Sequence, residues 1–489
     1  MSSGMRIKAL AANELHAAAT ALRHHGGRVQ FAYAWSPDAS SREVRYVCAV
    51  PGQRDFETWA VAGRTLPSLA PVVPLLGWYE REMMDLQGIA FEGHPEPHPL
   101  VLRENDSTRI NGGDLKSASP TNGHAHLPAI ETGDVQQLPF GPIRADVVES
   151  AEFTFFYIGE RIIYYQPRLF FKHRGMESCF QGQRPDQAVV IAERVSGVGT
   201  LAHALAYCEA IERAAGCTAP PRAQALRVLL AEMERIYNHL HYLGHLCHTT
   251  SLKVGEAQGK LLEEKAKQLI ARLTGSRFLR GLLTPGGLRR DLAPGRWLGQ
   301  SLEELREEFV AYVERLESSE SHLDRLITTG PLPERIAFDQ GATGPIERAS
   351  GLDRDLRRDH PYAQYAELPL TVGASKDGDA YARERVRMAE VEASFVLCQR
   401  VLLLLEAGPI RSECVPPPLS QGLGWAENPR GSLFYAVHIG SDGRLARVKI
   451  KSPSFSNWRA FPFTVHDTNM MDYAINEASF GLTVAGCDR

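Results

Sequence analysis

No Cys-x-x-Cys pair occurs among the eight cysteines, at positions 48, 179, 208, 217, 247, 398, 414 and 487. That spacing excludes the usual zinc-ribbon and iron–sulfur ligand sets and gives no disulfide framework. It reads as eight buried, inert thiols in a reducing compartment. No run of 18 or more apolar residues is present, and the strongest, Val401 to Leu405, is far too short to cross a bilayer. The first twenty residues lack the apolar core of a signal peptide. Neither sign of charge dominates: 54 Lys plus Arg against 58 Asp plus Glu leave −4, which argues against a nucleic-acid partner. There is no Gly-x-Gly-x-x-Gly, no Walker lysine, no His-Glu-x-x-His and no solenoid repeat.

What is present is an ordinary globular composition, 44 % hydrophobic and 23 % charged, in 489 residues, enough for two or three domains. Residues 1–103 mix a helical start (Leu10 to Arg23) with β-rich runs (Val29 to Trp35, Val44 to Val50), an α+β domain. Glu104 to Gln137, rich in Asn, Gly, Ser and Pro, reads as a flexible linker. From Leu138 to Arg489 an aromatic β-rich opening (Phe153 to Tyr165) leads into a mainly α-helical, bundle-type core. Helices are expected at Glu193 to Ala215, after Pro221, and at Gln258 to Leu273, Ser301 to Ile327 and Asp379 to Leu405. In the helix after Pro221, Leu226, Leu229, Leu230, Met233, Ile236, Tyr237, Leu240 and Leu243 form one wide apolar stripe. Ser432 to Ile439 and Arg444 to Lys451 flank Gly-Ser-Asp-Gly as a β-hairpin.

Three features bear on chemistry. His241, His245 and His248 share one helix face and suit either a metal site or a plain histidine face. Asp379, Arg383, Arg387 and Glu390 recur at helical intervals, as a solvated ion-paired face or a buried charged array. Glu193 to Glu212 carries two glycines opening a helix, without a phosphate-loop pattern.

Taken in order, WYEREMMDLQGIAFEGHP, LPFGPI, RLFFKHRGMES, RAQALRVLLAEMERIYNHL, GPIERASGLDRDLRRDHPY, GDAYARERVRMAEVE and KIKSPSF resemble one family across nearly the whole chain. The first resembles the small peripheral subunit of respiratory complex I. The rest resemble its large quinone-pocket subunit. The fused order is similar to the large subunit of energy-converting [NiFe]-hydrogenases of the formate hydrogenlyase type, and the resemblance implies a [NiFe]-hydrogenase large-subunit-like fold.

The departures matter as much. The cysteine positions of that family's first metal motif fall on Ser196 and Gly199, between Arg194 and His203, and those of the second on Thr483 and Gly486, with Cys487 one place off. A nickel–iron centre needs thiolates, so none is expected, and no other metal is assigned. The complex I quinone-binding His and Tyr correspond to Phe140 and Gly197, which offer no side-chain donor. Quinone remains a possible ligand, with His203 and Tyr207 as substitute polar groups or a core-satisfied pair. The resemblance implies roles for Arg174 and Glu177, the latter a proton-relay position, and for Asp355 and Arg357. With Ser196 and His203 these are the candidate catalytic residues, around a cavity bounded by Ser196, His203, Glu177 and Thr483.

The resemblance further implies a peripheral subunit on the cytoplasmic face of a membrane, between an iron–sulfur small subunit and ion-translocating membrane-arm subunits. The expected function is coupling of electron transfer to ion translocation. The alternatives are a non-catalytic coupling scaffold and a zinc enzyme using the three histidines. The terminal Asp488-Arg489 is where a mature chain of this family would end, so no nickel-dependent processing is expected.

Overall fold

The computed structural model describes residues 5–36, 41–102, 133–143 and 149–489. They form a mixed helix-and-sheet molecule with several small sheets. In the first part, β1 (Arg6–Ala9), β2 (Arg28–Trp35), β3 (Glu43–Ala49) and β4 (Glu57–Ala62) make a sheet of order β1-β4-β3-β2, in which only the β1–β4 pair is parallel. Helices α1 (Leu15–His24) and α2 (Leu76–Gln87) accompany it, α2 ending at Gly88 in the left-handed conformation. The expected linker lies outside the described residues up to 132, and its last two residues already belong to strand β5 (Gln136–Phe140). That strand pairs with the hairpin β6 (Glu152–Ile158) and β7 (Arg161–Arg168).

The helical core consists of α3 (Thr200–Ala215), α4 (Pro221–Thr249), α5 (Lys253–Thr274), α6 (Gly295–Glu317) and α7 (Ala380–Leu404). Among the described residues no helix is long and apolar enough to cross a membrane. The helix expected from Glu193 is broken. A short turn of helix at Val189–Ala192 is followed by a loop, and α3 starts only after Gly199, whose φ of 81° ends any continuous helix there. Helix α4 is buried around most of its girth over residues 223–247, with Arg227, Glu232, Glu234, Arg235 and His239 inside beside the leucines. It is a central helix, not a one-stripe amphipathic one.

The C-terminal hairpin belongs to a three-stranded antiparallel sheet, β8 (Gln421–Asn428), β9 (Gly431–Ile439) and β10 (Leu445–Lys451), with β9 in the middle. Strand β8 lies directly against α3. A Cβ at Gly424 would sit 2.1 Å from the Ala206 carbonyl oxygen, so only glycine allows this contact. The first part docks on this sheet through Glu82–Lys449 (2.6 Å) and Tyr33–His438 (3.1 Å) and on the short helix Pro345–Ala349 through Arg28–Glu347 (2.8 Å), and both parts share one apolar core.

The cysteines depart from the expectation of eight inert thiols. Cys217, just past the end of α3, is disulfide-bonded to Cys414, 197 residues away, with the Cα atoms 5.8 Å apart, and Cys179 is exposed. The other five are buried. Because the bridge closes so long a loop, reduction is expected to lower unfolding stability by about 2–4 kcal/mol. Denaturation midpoints with and without dithiothreitol should differ for the native chain and coincide for Cys217→Ser/Cys414→Ser.

Candidate functional site

The predicted site residues fall into three groups. The first is the expected cleft, where the Val195–Gly199 loop before α3 meets Thr483–Gly486, the opening of a short helix (Val484–Asp488) near the C-terminus. A Cβ built on Gly486 would lie 2.5 Å from Thr483 Oγ1, 3.3 Å from Ser454 Oγ and 3.4 Å from Ser196 Oγ, so three hydroxyls surround one small space. Arg174 ties the loops together, donating to the carbonyls of Val195 (2.6 Å), Arg194 (3.2 Å) and Ala485 (3.1 Å). Glu234 on α4 accepts the N–H groups of Leu201 (2.7 Å) and Ala202 (2.9 Å), capping α3 and fixing the first loop.

His203 faces away from a ligand role. Its Nδ1 lies 2.8 Å from the Tyr435 hydroxyl, and burial, aided by Arg174, lowers its pKa to about 3, leaving a neutral imidazole. Tyr207 donates to the Pro185 carbonyl at 2.8 Å. Both belong to the core, as one of the two sequence readings has it.

The residues of the cleft do not fit a nickel–iron centre. At the four thiolate positions stand two hydroxyls and two glycines, and the space beside Gly199 is filled: a Cβ there would be 1.7 Å from Asn428 Nδ2. Cys487 is buried and its thiol is pushed well up by burial, which suits packing rather than soft-metal ligation. At the quinone-donor positions, Phe140 is 39 % exposed, and a Cβ built on Gly197 would meet open space.

Glu177 lies in a second group rather than in this cleft. Its carboxylate pairs with Arg447 (3.0 Å), Lys449 (3.1 Å) and Arg489 (3.3 Å) and accepts the Ile450 N–H at 3.1 Å. Burial alone would raise its pKa; the cations Lys449, Arg447 and Arg489 outweigh burial and hold it at about 2. A carboxylate so stabilised anchors the C-terminal Arg489 and is a poor proton carrier at neutral pH. With a folded-state pKa below the ordinary 4.5, its stabilising contribution is full above that value and disappears as pH falls toward 2. The stability difference between the native chain and Glu177→Gln should therefore shrink through that window in acid-denaturation experiments.

The third group is a buried charged array. Arg357 donates to Asp355 from Nη2 (2.7 Å) and Nε (3.0 Å) and reaches Glu232 at 3.2 Å. Glu232 also accepts from Tyr365 (2.5 Å), Ser394 (2.6 Å) and Arg235 (3.3 Å). Arg235 continues to Glu390 at 3.1 Å, which is shared with His239 (2.9 Å) and with Arg348. Arg348 closes the circuit to Glu427 (3.1 Å) and Asp355 (3.3 Å). None of these charged side chains exceeds 2 % exposure. The open question on the α7 charges is thus settled for Arg383, Arg387 and Glu390 as a buried arrangement.

Within the array the carboxylates differ. Burial opposes ionisation of Glu390 and Asp355, but the arginines prevail: Glu390 is held well below the usual range by Arg348 and His239, and Asp355 at about 2 by Arg357 and Arg348. Glu427 goes the other way, raised to about 7 by burial and by Asp355. It also lines, with Asp355, Arg354 and His360, a cavity of about 440 Å³ that reaches Gln53 and Arg54 of the first part. A carboxyl that titrates near neutrality beside a cavity is equipped to exchange protons.

His241, His245 and His248 are exposed, with parallel rings 6.4 and 6.3 Å apart. His241 turns to Glu263 (3.0 Å) and His248 to Glu256 (3.1 Å). Among the described residues no group of three or more His, Cys, Asp or Glu could hold a metal ion.

Reading the sequence missed Glu232, Arg235, His239, Arg348, Glu427 and Arg430. The α4 members sit inside RAQALRVLLAEMERIYNHL, where polar residues among leucines were the available signal of a charged interior. Glu427 and Arg430 flank the turn after β8, a strand whose two glycines hide it.

Models of three families match: Respiratory-chain NADH dehydrogenase, 30 Kd subunit, over residues 9–111; Nickel-dependent hydrogenase over 174–274; and Respiratory-chain NADH dehydrogenase, 49 Kd subunit, over 262–421 and 412–489. Formate hydrogenlyase subunit 5 of Escherichia coli (strain K12) is 32 % identical, the match covering 83 % of this chain and 74 % of that protein. Hydrogenase-4 component G of the same organism is 30 % identical over 84 % and 73 %. An NADH-quinone oxidoreductase component of Gluconacetobacter diazotrophicus is 29 % identical over 87 % and 79 %. Among solved structures, a chain of the membrane-bound sulfane sulfur reductase, an archaeal respiratory membrane complex, shares the fold with a TM-score of 0.69 at 24 % identity, over 74 % of this chain and all of that one.

Proposed function

The chain belongs to the family of formate hydrogenlyase subunit 5 and hydrogenase-4 component G, and from that membership we propose that it is the large subunit of a membrane-associated, complex I-like oxidoreductase that couples electron transfer to ion translocation without a nickel–iron centre of its own. In this reading residues 1–103 form a small-subunit-like unit and 138–489 a hydrogenase large-subunit-like unit. An iron–sulfur small subunit would face the Ser196–Thr483 cleft and supply electrons. Membrane-arm subunits would receive the coupling, with this chain peripheral on the cytoplasmic face.

The observation that carries the proposal is the closed circuit of buried charges formed by Arg357, Glu232, Arg235, Glu390, Arg348 and Asp355, to which Tyr365 and Glu427 are attached. Burying so many charges is costly, and a merely structural core would be as stable or more so with apolar residues. Asp355 and Arg357 act within that circuit. Arg174 and Ser196 shape the cleft, where quinone or another acceptor would bind. A second reading, a coupling scaffold without redox chemistry, is favoured by Asn428 filling the space at Gly199 and by the core role of His203.

The test is the native complex carrying Asp355→Asn, assayed in membrane vesicles for electron flow and ion movement together. The coupling reading expects ion movement to fall more than electron flow. Equal loss of both, or of neither, would contradict it.

A further inference from the structure

The cavity of about 440 Å³ between the two parts reaches from the surface to the charge circuit. Its outer wall carries Gln53 and Arg54, in the turn between β3 and β4, and Asp359; Arg54 and Asp359 are exposed. Its inner wall includes the end of the β8–β9 hairpin. Glu427 and Ser432 are paired across these strands and so lie on one face of the sheet, and Lys451, opposite Phe434, lies on the same face.

Two carboxylates of the array line the cavity, and they are held differently. Asp355 takes two bonds from Arg357 (2.7 and 3.0 Å), with Arg348 at 3.3 Å. Glu427 has one arginine, Arg348 at 3.1 Å, and one long backbone bond, from the Leu356 N–H at 3.3 Å. Burial and the negative Asp355 favour its neutral form; Arg348, Arg235 and Arg357 oppose this without prevailing. When Glu427 is neutral, Arg348 keeps Glu390 and Asp355.

Lys451 is the complementary group. It is buried, with no carboxylate within ion-pair distance among the described residues, and its Nζ donates to the Ser432 carbonyl and hydroxyl, both at 2.7 Å. Burial, and then Arg28, lower its pKa to about 7 against the pull of Glu347 and Glu427. Arg28 and Glu347 are themselves paired at 2.8 Å. The Ser432 hydroxyl lines the cavity and can accept from Lys451 while donating onward, so it links the buried amine to that space. Elsewhere on the wall, His360 is shifted toward its neutral form by burial, its Nδ1 lies 2.7 Å from the Arg54 carbonyl, and Arg354 lies over the Phe338 ring.

We propose that this cavity is a proton port, in which Glu427, and Lys451 through the Ser432 hydroxyl, take up protons from solvent and return them. A hydronium ion or buffer acid at the outer wall gives its proton to the Glu427 carboxylate or to the neutral Lys451 amine, and water takes it back by the same route; no electron moves. Each uptake adds one positive charge at the edge of the circuit, which ties the charge of the circuit to solvent pH. The inference deepens the coupling reading, on which its use in ion translocation rests. The exchange itself needs neither membrane nor electron donor.

The experiment is infrared spectroscopy of the purified full chain from about pH 5 to about pH 9. The expected result is a protonated-carboxyl band that fades with a midpoint of about 7 and is absent from Glu427→Gln. Glu234, also raised to about 7 by burial, caps α3 outside this cavity, so its band remains in both. Transfer to D2O should shift the Glu427 band within seconds, and about tenfold more slowly in Gln53→Trp, introduced to fill the outer wall. Lys451→Met should raise the midpoint, because a positive neighbour is removed. No band lost in Glu427→Gln, exchange only as slow as global unfolding, or equal exchange in Gln53→Trp would overturn the port, and an unmoved midpoint in Lys451→Met would overturn the part given to Lys451. If near-ultraviolet circular dichroism shows Glu427→Gln unfolded, Glu427→Asp, which should displace the band instead of removing it, decides. Because the chain is alone in solution, the port can fail while the coupling assay succeeds, and the reverse.

Discussion

Glu390→Ala is expected to destabilise the fold by about 3–5 kcal/mol, the range seen when one partner of a buried ion pair is removed. Glu390 is fully buried and, among the described residues, is the only carboxylate that bonds Arg235, Arg348 and His239 together. Arg235 would keep Glu232, and Arg348 would keep Asp355 and Glu427, but His239 would lose its acidic partner and one negative charge would vanish from a buried array. Glu390→Gln keeps the shape and loses the charge, so it should fall between the native chain and Glu390→Ala. By contrast, removing an exposed pair such as Arg161–Asp467 should change stability by less than about 1 kcal/mol. Urea denaturation of the three variants beside the native chain checks the order. Equal stability of Glu390→Ala and the native chain would mean that the array is hydrated and not a closed circuit.

The second large effect concerns the missing thiolates. Restoring all four cysteines, by Ser196→Cys, Gly199→Cys, Thr483→Cys and Gly486→Cys together, is expected to give no stoichiometric nickel. The obstacle is Gly199: its φ of 81° strains any side chain by about 1–3 kcal/mol, and a Cβ would overlap Asn428 Nδ2 at 1.7 Å. Asn428 cannot retreat freely, because its Oδ1 accepts the Arg430 N–H and its backbone pairs in the β8–β9 turn. Gly199→Ala alone should therefore lose at least about 2 kcal/mol, against less than about 1 kcal/mol for Ser196→Ala. Metal analysis of the four-cysteine variant and denaturation of the two single variants provide the check. Stoichiometric nickel in the former would show that the cleft still accommodates the centre.

Much of the framework was legible because local rules set it. Asp379 caps α7 through its side chain (2.8 Å to the Ala382 N–H), Gly216 ends α3 in the left-handed conformation, and the hairpin around Ser441–Asp442 forms with its turn. What stayed hidden depends on long-range placement. Strand β8 was not expected: its Gly422 and Gly424 are needed for contact with α3, a requirement visible only once both elements are in place. The Cys217–Cys414 pair spans 197 residues and leaves no spacing signal.

The site follows the same division. Spacing put Arg383, Arg387 and Glu390 on α7, but charges at helical intervals look alike in water and in a core, so burial could not be read from them. The motif match assigned Glu177 to a proton relay; its three cations come from β10 and the C-terminus, and they turn it into an anchor. Glu427 escaped notice because its shifted titration comes from burial and from Asp355, 72 positions earlier in the chain.

The central claim is that the chain works inside a membrane-bound electron-transfer complex without nickel at the Ser196–Thr483 cleft. A cryo-EM map of the complex from native membranes, resolving ligands in that cleft, tests it most directly. The account predicts an iron–sulfur cluster of a partner subunit facing the cleft, no metal between Ser196 and Thr483, and membrane subunits in contact with the same chain. A cleft open to solvent with no cluster-bearing partner, or one holding nickel, would contradict it.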